Sequence, residues 1–277
     1  MTDTQDQTSS ISKMIEQVLE RGDRALVVTS LSGPAIGAKL LIHESGSIIG
    51  SLGDPELDSL VAKEAARFLN AREDTRMLSV SEFAPEFPQA RETSLLLERL
   101  EPSPRLIVCG AGHVGASLAR IAAFAGYQTT LLDDRADFLK RELFPETQIE
   151  LVVATDWSAA VRDAIGNGRG VSVAVVTRGH NEDEQCMQAV VRANPSYVGL
   201  IGSKRRTSIV IDRLRAKGAS EDQLRNIHAP IGLDIGAVSP EEVALAIMAE
   251  IVAERRGRAG GSLSAWRRLN TDKSRLH

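Results

Sequence analysis

The most constraining feature of this sequence is a glycine-rich turn between a predicted buried strand and a predicted helix. Residues 110–115 read Gly-Ala-Gly-His-Val-Gly and follow the apolar stretch 105–109. In such a turn the first glycine permits a tight bend, the second lets a phosphate approach the backbone, and the third lets helix and strand pack closely. Free N–H groups and the helix dipole attract the anion. The segment therefore predicts a phosphate- or nucleotide-binding loop.

Apolar strand patterns alternate with helical patterns after this turn. Strands are predicted at 105–109, 128–132, 149–154, 171–176 and 197–201, and helices at 112–125, 136–143, 157–165, 182–191, 203–217 and 240–256. Ser239 and Glu242 predict a capping box at the start of the last helix. This alternation is typical of a parallel sheet covered on both faces. The predicted fold class is α/β, with a small N-terminal α+β domain followed by a Rossmann-like, doubly wound parallel-sheet domain.

The domain boundaries are predicted from a change of pattern around two prolines. A length of 277 residues allows two modest domains. Pro102 and Pro104 disfavour both helix and ladder pairing, so the stretch between the domains reads as a linker. We expect a small α+β domain at 1–100, a linker at 101–104, a Rossmann-like domain at 105–257 and a mobile, Gly- and Arg-rich C-terminal tail at 258–277.

Composition excludes several classes of protein. The net charge is −4 and the pI about 5.8, which disfavours a nucleic-acid partner. The apolar runs are shorter than the roughly 20 residues that span a bilayer, and the N-terminus is polar, so we expect no membrane association and a cytoplasmic protein. The sequence has only two cysteines, Cys109 and Cys186, which is too few for a framework of several disulfides or for a four-cysteine zinc site. No other metal-ligand spacing is evident, and no metal site is predicted.

Polar residues cluster in the loops that follow the predicted strands. In open α/β sheets, ligands bind outside the carboxyl ends of the strands, near the point where the strand order reverses. Basic side chains in these loops predict a cationic pocket suited to a phosphate or another oxyanion. The candidate cofactor-binding residues are Gly110, Gly112, His113, Val114, Gly115, Asp133, Arg178, His180, Gly202, Lys204, Arg205 and Asp234.

The position of Asp133 leaves other functions open. It ends the strand after the glycine loop, where a carboxylate would bond a ribose 2′-hydroxyl. That placement favours an NAD(P)-dependent oxidoreductase as an alternative, and a nucleotide-sensing regulatory module is a second alternative. The sequence contains no G-x-S-x-G elbow and no convincing nucleophile. His180, three residues before Asp183, is the one candidate for proton transfer, and the catalytic residues stay unknown.

Five motifs together resemble the XdhC/CoxI family of molybdenum-enzyme maturation factors, over residues 11–257. In chain order they are GAGHVG at 110–115, DDR at 133–135, TRGHNEDE at 177–184, YVGLIGSKRR at 197–206 and PIGLDIGAVSPEEVALAIMAEIVAERRG at 230–257. The last two are the most specific of the set.

The resemblance implies a carrier of the molybdenum cofactor (molybdopterin). Such a protein would protect the cofactor while a cysteine desulfurase supplies its terminal sulfur, and would deliver it to a molybdenum hydroxylase such as xanthine dehydrogenase. The family also implies a cytoplasmic homodimer, more a chaperone than an enzyme. In one respect the chain departs from many relatives: where they carry a Gly-Gly-Cys-Glu turn, it has Gly53 to Leu57 with no cysteine. A thiolate ligand from that turn is therefore not expected.

Overall fold

The computed structural model describes residues 2–69 and 73–264, which fall into two compact units, Met1–Ser103 and Pro104–His277. Most of the expected C-terminal tail, residues 265–277, lies outside the described residues. Each unit has its own sheet and its own apolar core, and each is described by itself.

The N-terminal unit is a five-stranded antiparallel sheet with a helix on each face. Its elements are α1 (Thr2–Arg21), β1 (Ala25–Ser30), β2 (Lys39–His43), β3 (Ile48–Gly50), α2 (Pro55–Leu69), β4 (Thr75–Ser79) and β5 (Ser94–Leu100), in the strand order β3-β2-β1-β5-β4. Side chains of β1 alternate between the faces, as a pleated strand requires. Leu26 and Val28 pack in the cluster that contains the apolar face of α2, while Ala25 and Val27 pack with Val18 of α1.

The C-terminal unit is a six-stranded parallel sheet. Its elements are β6 (Arg105–Cys109), α3 (His113–Phe124), β7 (Gln128–Asp133), β8 (Ile149–Val153), α4 (Trp157–Ile165), β9 (Val171–Val175), α5 (His180–Ala193), β10 (Tyr197–Leu200), α6 (Lys204–Ala216), α7 (Glu221–Arg225), β11 (Ile227–His228) and α8 (Pro240–Arg255). The strand order is β11-β10-β9-β6-β7-β8. The chain starts in the middle, runs to one edge and returns to the other side. The predicted fold class is confirmed, and the strand order reverses between β6 and β9.

Both faces of this sheet are covered by helices. In β6, Leu106 and Val108 belong to a core cluster with α3 and α8, while Ile107 and Cys109 belong to a cluster with α4, α5 and α6. The central strands are consequently buried on both sides, which explains why they read as continuous apolar runs rather than as alternating patterns. This burial holds the strand ends, and the loops that leave them, in fixed positions.

The helix predicted at 136–143 is wrong. The structure has two single 3₁₀ turns there, Ala136–Phe138 and Arg141–Leu143. The guanidinium of Arg141 donates to the carbonyl oxygens of Phe144, Glu146 and Ile149 at 2.9–3.1 Å. Since one side chain binds three main-chain acceptors of the following segment, it stabilises an irregular connection that leads into β8.

The capping box predicted for the last helix is confirmed. The Ser239 hydroxyl accepts a hydrogen bond from the Glu242 N–H at 3.2 Å, and the Glu242 carboxylate accepts one from the Ser239 N–H at 3.1 Å. These bonds satisfy two backbone donors that the helix itself leaves unpaired. They fix where α8 begins, directly after the loop that contains Asp234.

Candidate functional site

Three loops leave the parallel sheet at one edge. Cys109 of β6 pairs with Val175 of β9, and Val175 pairs with Leu200 of β10. The glycine loop, the loop at 176–179 and the loop at 201–203 therefore follow three adjacent strands. This edge lies at the reversal of strand order, which is where open α/β sheets place ligands.

The three glycines of the loop have different local surroundings. Gly110 has φ +112°, and a Cβ there would lie 2.7 Å from the Val176 carbonyl oxygen. A Cβ on Gly115 would overlap the Gly110 carbonyl oxygen. Gly112 has φ −66° and faces open space, with no atom within 4 Å of a Cβ built on it. Packing therefore requires glycine at 110 and 115, whereas none of the described residues requires it at 112.

Helix α3 begins without a side-chain cap. Its N-cap residue is Gly112, no side chain of the described residues accepts a hydrogen bond from its first turn, and no acidic residue lies in that turn. By contrast α4, α6 and α8 are capped by Asp156, Ser203 and Ser239. The first N–H groups of α3 are thus available to an external acceptor. His113 is exposed and Val114 is partly buried at this helix start.

Asp133 is buried, and its carboxylate is fully occupied by the protein. Oδ2 accepts hydrogen bonds from the Ala111 N–H at 2.7 Å and from Nη2 of Arg135 at 2.9 Å. Oδ1 accepts from the backbone N–H and Nε of Arg135, at 2.9 and 2.8 Å. Burial raises the pKa of Asp133, but the hydrogen bonds from Arg135 and Ala111 outweigh it and lower the pKa to about 2. The carboxylate holds the glycine loop against the end of β7.

The lowered pKa predicts a stability effect in acid. Because the folded-state pKa lies below the ordinary value of 3.8, the unfolded chain takes up the proton first as the pH falls. The contribution of Asp133, about 2 kcal/mol, should be complete above about pH 5 and be lost towards pH 2. Urea unfolding of the protein and of Asp133→Asn across this range measures it. A difference between the two unfolding free energies that does not shrink in acid would contradict the assignment.

Arg178 is held by two carboxylates. Its Nη2 lies 3.1 Å from Oδ2 of Asp134, and its Nε lies 3.7 Å from Oε1 of Glu182. Asp134 follows β7 and Arg178 follows β9, and β6 lies between these two strands. The Arg178–Asp134 pair therefore spans the strand that carries the glycine loop, and the charge of Arg178 is balanced within the chain.

A buried network around Asp183 joins two of the loops. Asp183 is fully buried and accepts hydrogen bonds from the Thr177 hydroxyl at 2.5 Å and from Nε of Arg206 at 3.0 Å. Burial raises the pKa of Asp183 even though both partners favour its charged form. The sequence suggests Asp183 only as a partner of His180, and among the described residues these two side chains form no hydrogen bond with each other. The sequence shows Asp183 as an acidic residue in the first turn of α5. It does not show that Thr177 and Arg206 bind its carboxylate.

Lys204 and Arg205 are the basic residues of this edge whose charge is not balanced. Both are exposed at the start of α6, and neither forms a hydrogen bond or ion pair through its side chain with another described residue. They follow Gly202, which lies in the loop after β10. His180, at the start of α5, is exposed as well. Of the predicted cations, Lys204 and Arg205 are the ones left to attract an anion from solution.

The loop at 230–236 is anchored by Glu250 of α8. Glu250 is not among the residues predicted from the sequence. Its Oε1 accepts from the Gly232 N–H at 3.1 Å and from the Tyr197 hydroxyl at 2.5 Å. A glutamate inside the apolar sequence of α8 was the available signal. Asp234, in the middle of this loop, is exposed.

Neither the cysteines nor any acidic cluster of the described residues forms a metal centre. Cys109 and Cys186 are buried together in the core, where the hydrogen bond with Cys109 and burial raise the pKa of Cys186. Among residues 11–69 and 73–264, no three His, Cys, Asp or Glu side chains are arranged to hold a metal ion. Within that same part of the chain, every helix is too short or too polar to cross a bilayer.

Two family profiles match the chain. The profile described as the XdhC Rossmann domain matches residues 106–251, more than half of the sequence, and the profile described as the XdhC and CoxI family matches residues 19–81. The first therefore covers the parallel-sheet unit and the second most of the antiparallel unit.

Several curated proteins are similar to this chain. The Escherichia coli K12 protein YqeB is 29% identical over 90% of this chain and 46% of its own length. A Bacillus subtilis protein named as a probable subunit of xanthine dehydrogenase is 30% identical over 62% of this chain and 48% of its own length. The molybdenum cofactor insertion chaperone PaoD of Escherichia coli K12 is 22% identical over 90% of this chain and 89% of its own length. The chain thus spans about half the length of the first two relatives.

One solved structure shares the fold over most of the chain. A xanthine dehydrogenase from Bacillus halodurans matches with a TM-score of 0.63 and 21% sequence identity, covering 88% of this chain and 66% of that one. At this level of identity the likeness concerns the fold alone.

Proposed function

Because the chain belongs to the XdhC and CoxI family, we propose that it is an accessory protein that binds the molybdenum cofactor and delivers it to a molybdenum hydroxylase. A relative of similar length carries the name molybdenum cofactor insertion chaperone, and another is named as a probable part of xanthine dehydrogenase. In this proposal the client is an enzyme of the xanthine dehydrogenase type. The protein shields the cofactor during sulfuration by a cysteine desulfurase, and it acts as a cytoplasmic homodimer.

The open space at Gly112 is the observation that carries the proposal. Molybdopterin ends in a phosphate, and a phosphate needs backbone donors that it can approach closely. Within the described part of the chain, a Cβ at Gly112 would have no atom within 4 Å, and the N–H groups of the first turn of α3 have no side-chain acceptor. Helix dipole and free N–H groups together favour an anion at this point.

Lys204 and Arg205 supply the second anchor. The molybdenum group of the cofactor carries anionic oxo and thio ligands, which charged donors bind more strongly than neutral ones. The loop that precedes these residues lies two strands away from the glycine loop, which corresponds to about 10 Å across the sheet. One elongated ligand can therefore contact both anchors at once.

The contacts around His180 favour a carrier over a catalyst. A general base needs a partner that orients it, and Asp183 was the candidate. The Asp183 carboxylate instead bonds Thr177 and Arg206. The arrangement holds the loops in place and leaves His180 exposed without an orienting carboxylate.

Replacing Lys204 and Arg205 with glutamine should weaken cofactor binding about tenfold or more, since each loses a charged hydrogen-bond donor. Isothermal titration of purified protein with molybdenum cofactor under anaerobic conditions measures the affinity. Arg213 and Lys217 towards the other end of α6 both pair with Glu184, and the double variant Arg213→Gln/Lys217→Gln removes the same charge about 12–20 Å away along the helix.

The titration decides the proposal. Retention of the cofactor by the protein and by the α6 control, with loss in the Lys204/Arg205 variant, would support it. No retention by the unmodified protein would overturn it, and equal losses in both double variants would show that net charge rather than this anchor matters.

A further inference from the structure

We propose that Arg135 is a specificity-determining residue that closes the ribose side of the glycine loop, so that the site accepts a phosphate monoester without a nucleoside. The proposal rests on the proposed function only in taking the glycine loop as a phosphate site. It concerns what else the ligand carries, and it distinguishes this site from a dinucleotide site of the same fold.

Asp133 occupies the position from which a carboxylate bonds the ribose in dinucleotide sites. An ionised carboxylate offers about four lone-pair positions for hydrogen bonds. In this structure four N–H groups use them: one comes from Ala111 and three from Arg135. A ribose hydroxyl would have to donate to a carboxylate oxygen that already accepts two hydrogen bonds. Asp133 is therefore the residue type found in dinucleotide sites, but its carboxylate is not free to accept a hydrogen bond from a ribose.

Arg135 is fixed in this position by more than Asp133. Its guanidinium carbon lies 3.7 Å from the ring centroid of Phe138, and its Nε lies 3.8 Å from Oδ1 of Asp134. A cation over an aromatic face and a second carboxylate both stabilise the same rotamer. Releasing Asp133 to a nucleoside therefore requires breaking a bidentate charged pair and an aromatic contact together, which one ribose hydroxyl does not replace.

The surroundings of the loop fit a ligand that stops at its phosphate. The backbone donors and the open space at Gly112 lie at the start of α3, and Ala111, one residue earlier, is tied to Asp133. The phosphate end is thus open and the side facing the end of β7 is filled by Arg135. Bare molybdopterin makes no demand on Asp133, whereas the ribose of a dinucleotide would need the carboxylate that the Arg135 guanidinium already bonds.

The test is a titration of the full chain with NAD, with NADP and, separately, with molybdenum cofactor. The variants are Arg135→Ala, Arg135→Gln, and Arg135→Ala combined with Asp133→Asn, with Arg178→Ala as the control that breaks an ion pair of Asp134 and leaves the contacts between Arg135 and Asp133 in place. Circular dichroism and thermal unfolding establish that each variant is folded. Arg135→Gln keeps a side chain over Phe138 and serves if the alanine variant does not fold.

We expect no measurable NAD or NADP binding to the unmodified protein. Arg135→Ala or Arg135→Gln should gain NAD affinity of about tenfold or more, because the freed carboxylate bonds the ribose. The added Asp133→Asn should remove that gain, and Arg178→Ala should show none. NAD or NADP binding by the unmodified protein, or no gain in either folded Arg135 variant, would overturn the proposal. Failure of molybdenum cofactor to bind would overturn the carrier function while leaving the nucleotide result interpretable.

Discussion

Replacing Gly115 with alanine is expected to destabilise the C-terminal unit by about 3 kcal/mol or more, because the new Cβ would overlap the Gly110 carbonyl oxygen. Alanine is the better helix former by about 1 kcal/mol, so propensity acts in the opposite direction and the steric overlap dominates. The backbone of the glycine loop and the start of α3 would have to separate. Urea unfolding followed by circular dichroism gives the change in unfolding free energy.

Gly112→Ala is the matched control for this prediction. Its φ of −66° suits alanine and its Cβ would meet no atom, so we expect the unfolding free energy to change by no more than about 1 kcal/mol. The same Cβ would stand where a phosphate approaches, and cofactor affinity should fall about tenfold. A stable Gly115→Ala protein, or a Gly112→Ala protein that binds the cofactor normally, would show that the two glycines do not have these separate roles.

Asp183→Ala should cost about 2–4 kcal/mol of unfolding free energy, because it leaves the Arg206 guanidinium and the Thr177 hydroxyl without their buried acceptor. The cost falls below that of a fully buried ion pair since a quarter of the Arg206 side chain is exposed and water can reach it. Thermal unfolding and urea titration of the variant measure the loss.

A double-mutant cycle identifies the network as the cause. Arg206→Ala and the double variant with Asp183→Ala complete the cycle, and a coupling energy of about 1–3 kcal/mol is expected for residues in direct contact. Arg215→Ala, which removes an exposed arginine of the same helix that pairs with Glu221, should change stability little. Additive losses at Asp183 and Arg206 would show that the two side chains act independently.

Much of the fold followed from local patterns. The glycine loop is evident from the spacing of its glycines and from its position between a predicted strand and a predicted helix. In the structure α3 spans His113–Phe124, inside the predicted range 112–125. The capping box could also be predicted, because its two residues, Ser239 and Glu242, are only three positions apart in the sequence. The segment at 136–143 failed because its apolar residues suggested a helix, while the Arg141 side chain binds carbonyl groups that lie further along the chain.

The candidate site was predicted only in part. Sequence position placed Asp133, Arg178, Lys204 and Arg205 at strand ends, and the parallel register brings those ends to one edge. The sequence does not show which of these charges are paired. Arg178, for example, pairs with Asp134, which lies more than 40 residues away in the sequence. The same limitation hid Glu250, whose contact with Gly232 depends on the packing of α8.

The α/β class, the glycine loop and the family could be predicted from the order of residues, since they depend on hydrophobic period, glycine spacing and short motifs that act within one strand, turn and helix. The states of the charged groups depended on contacts between distant parts of the fold. The sequence position of Asp133 suggests a hydrogen-bond acceptor for a ribose. In the structure, N–H groups of Ala111 and Arg135 occupy the four lone-pair positions of its carboxylate. The physical reason is that a side chain's charge and hydrogen-bonding capacity are set by its neighbours in space, and a chain order does not specify which neighbours those are.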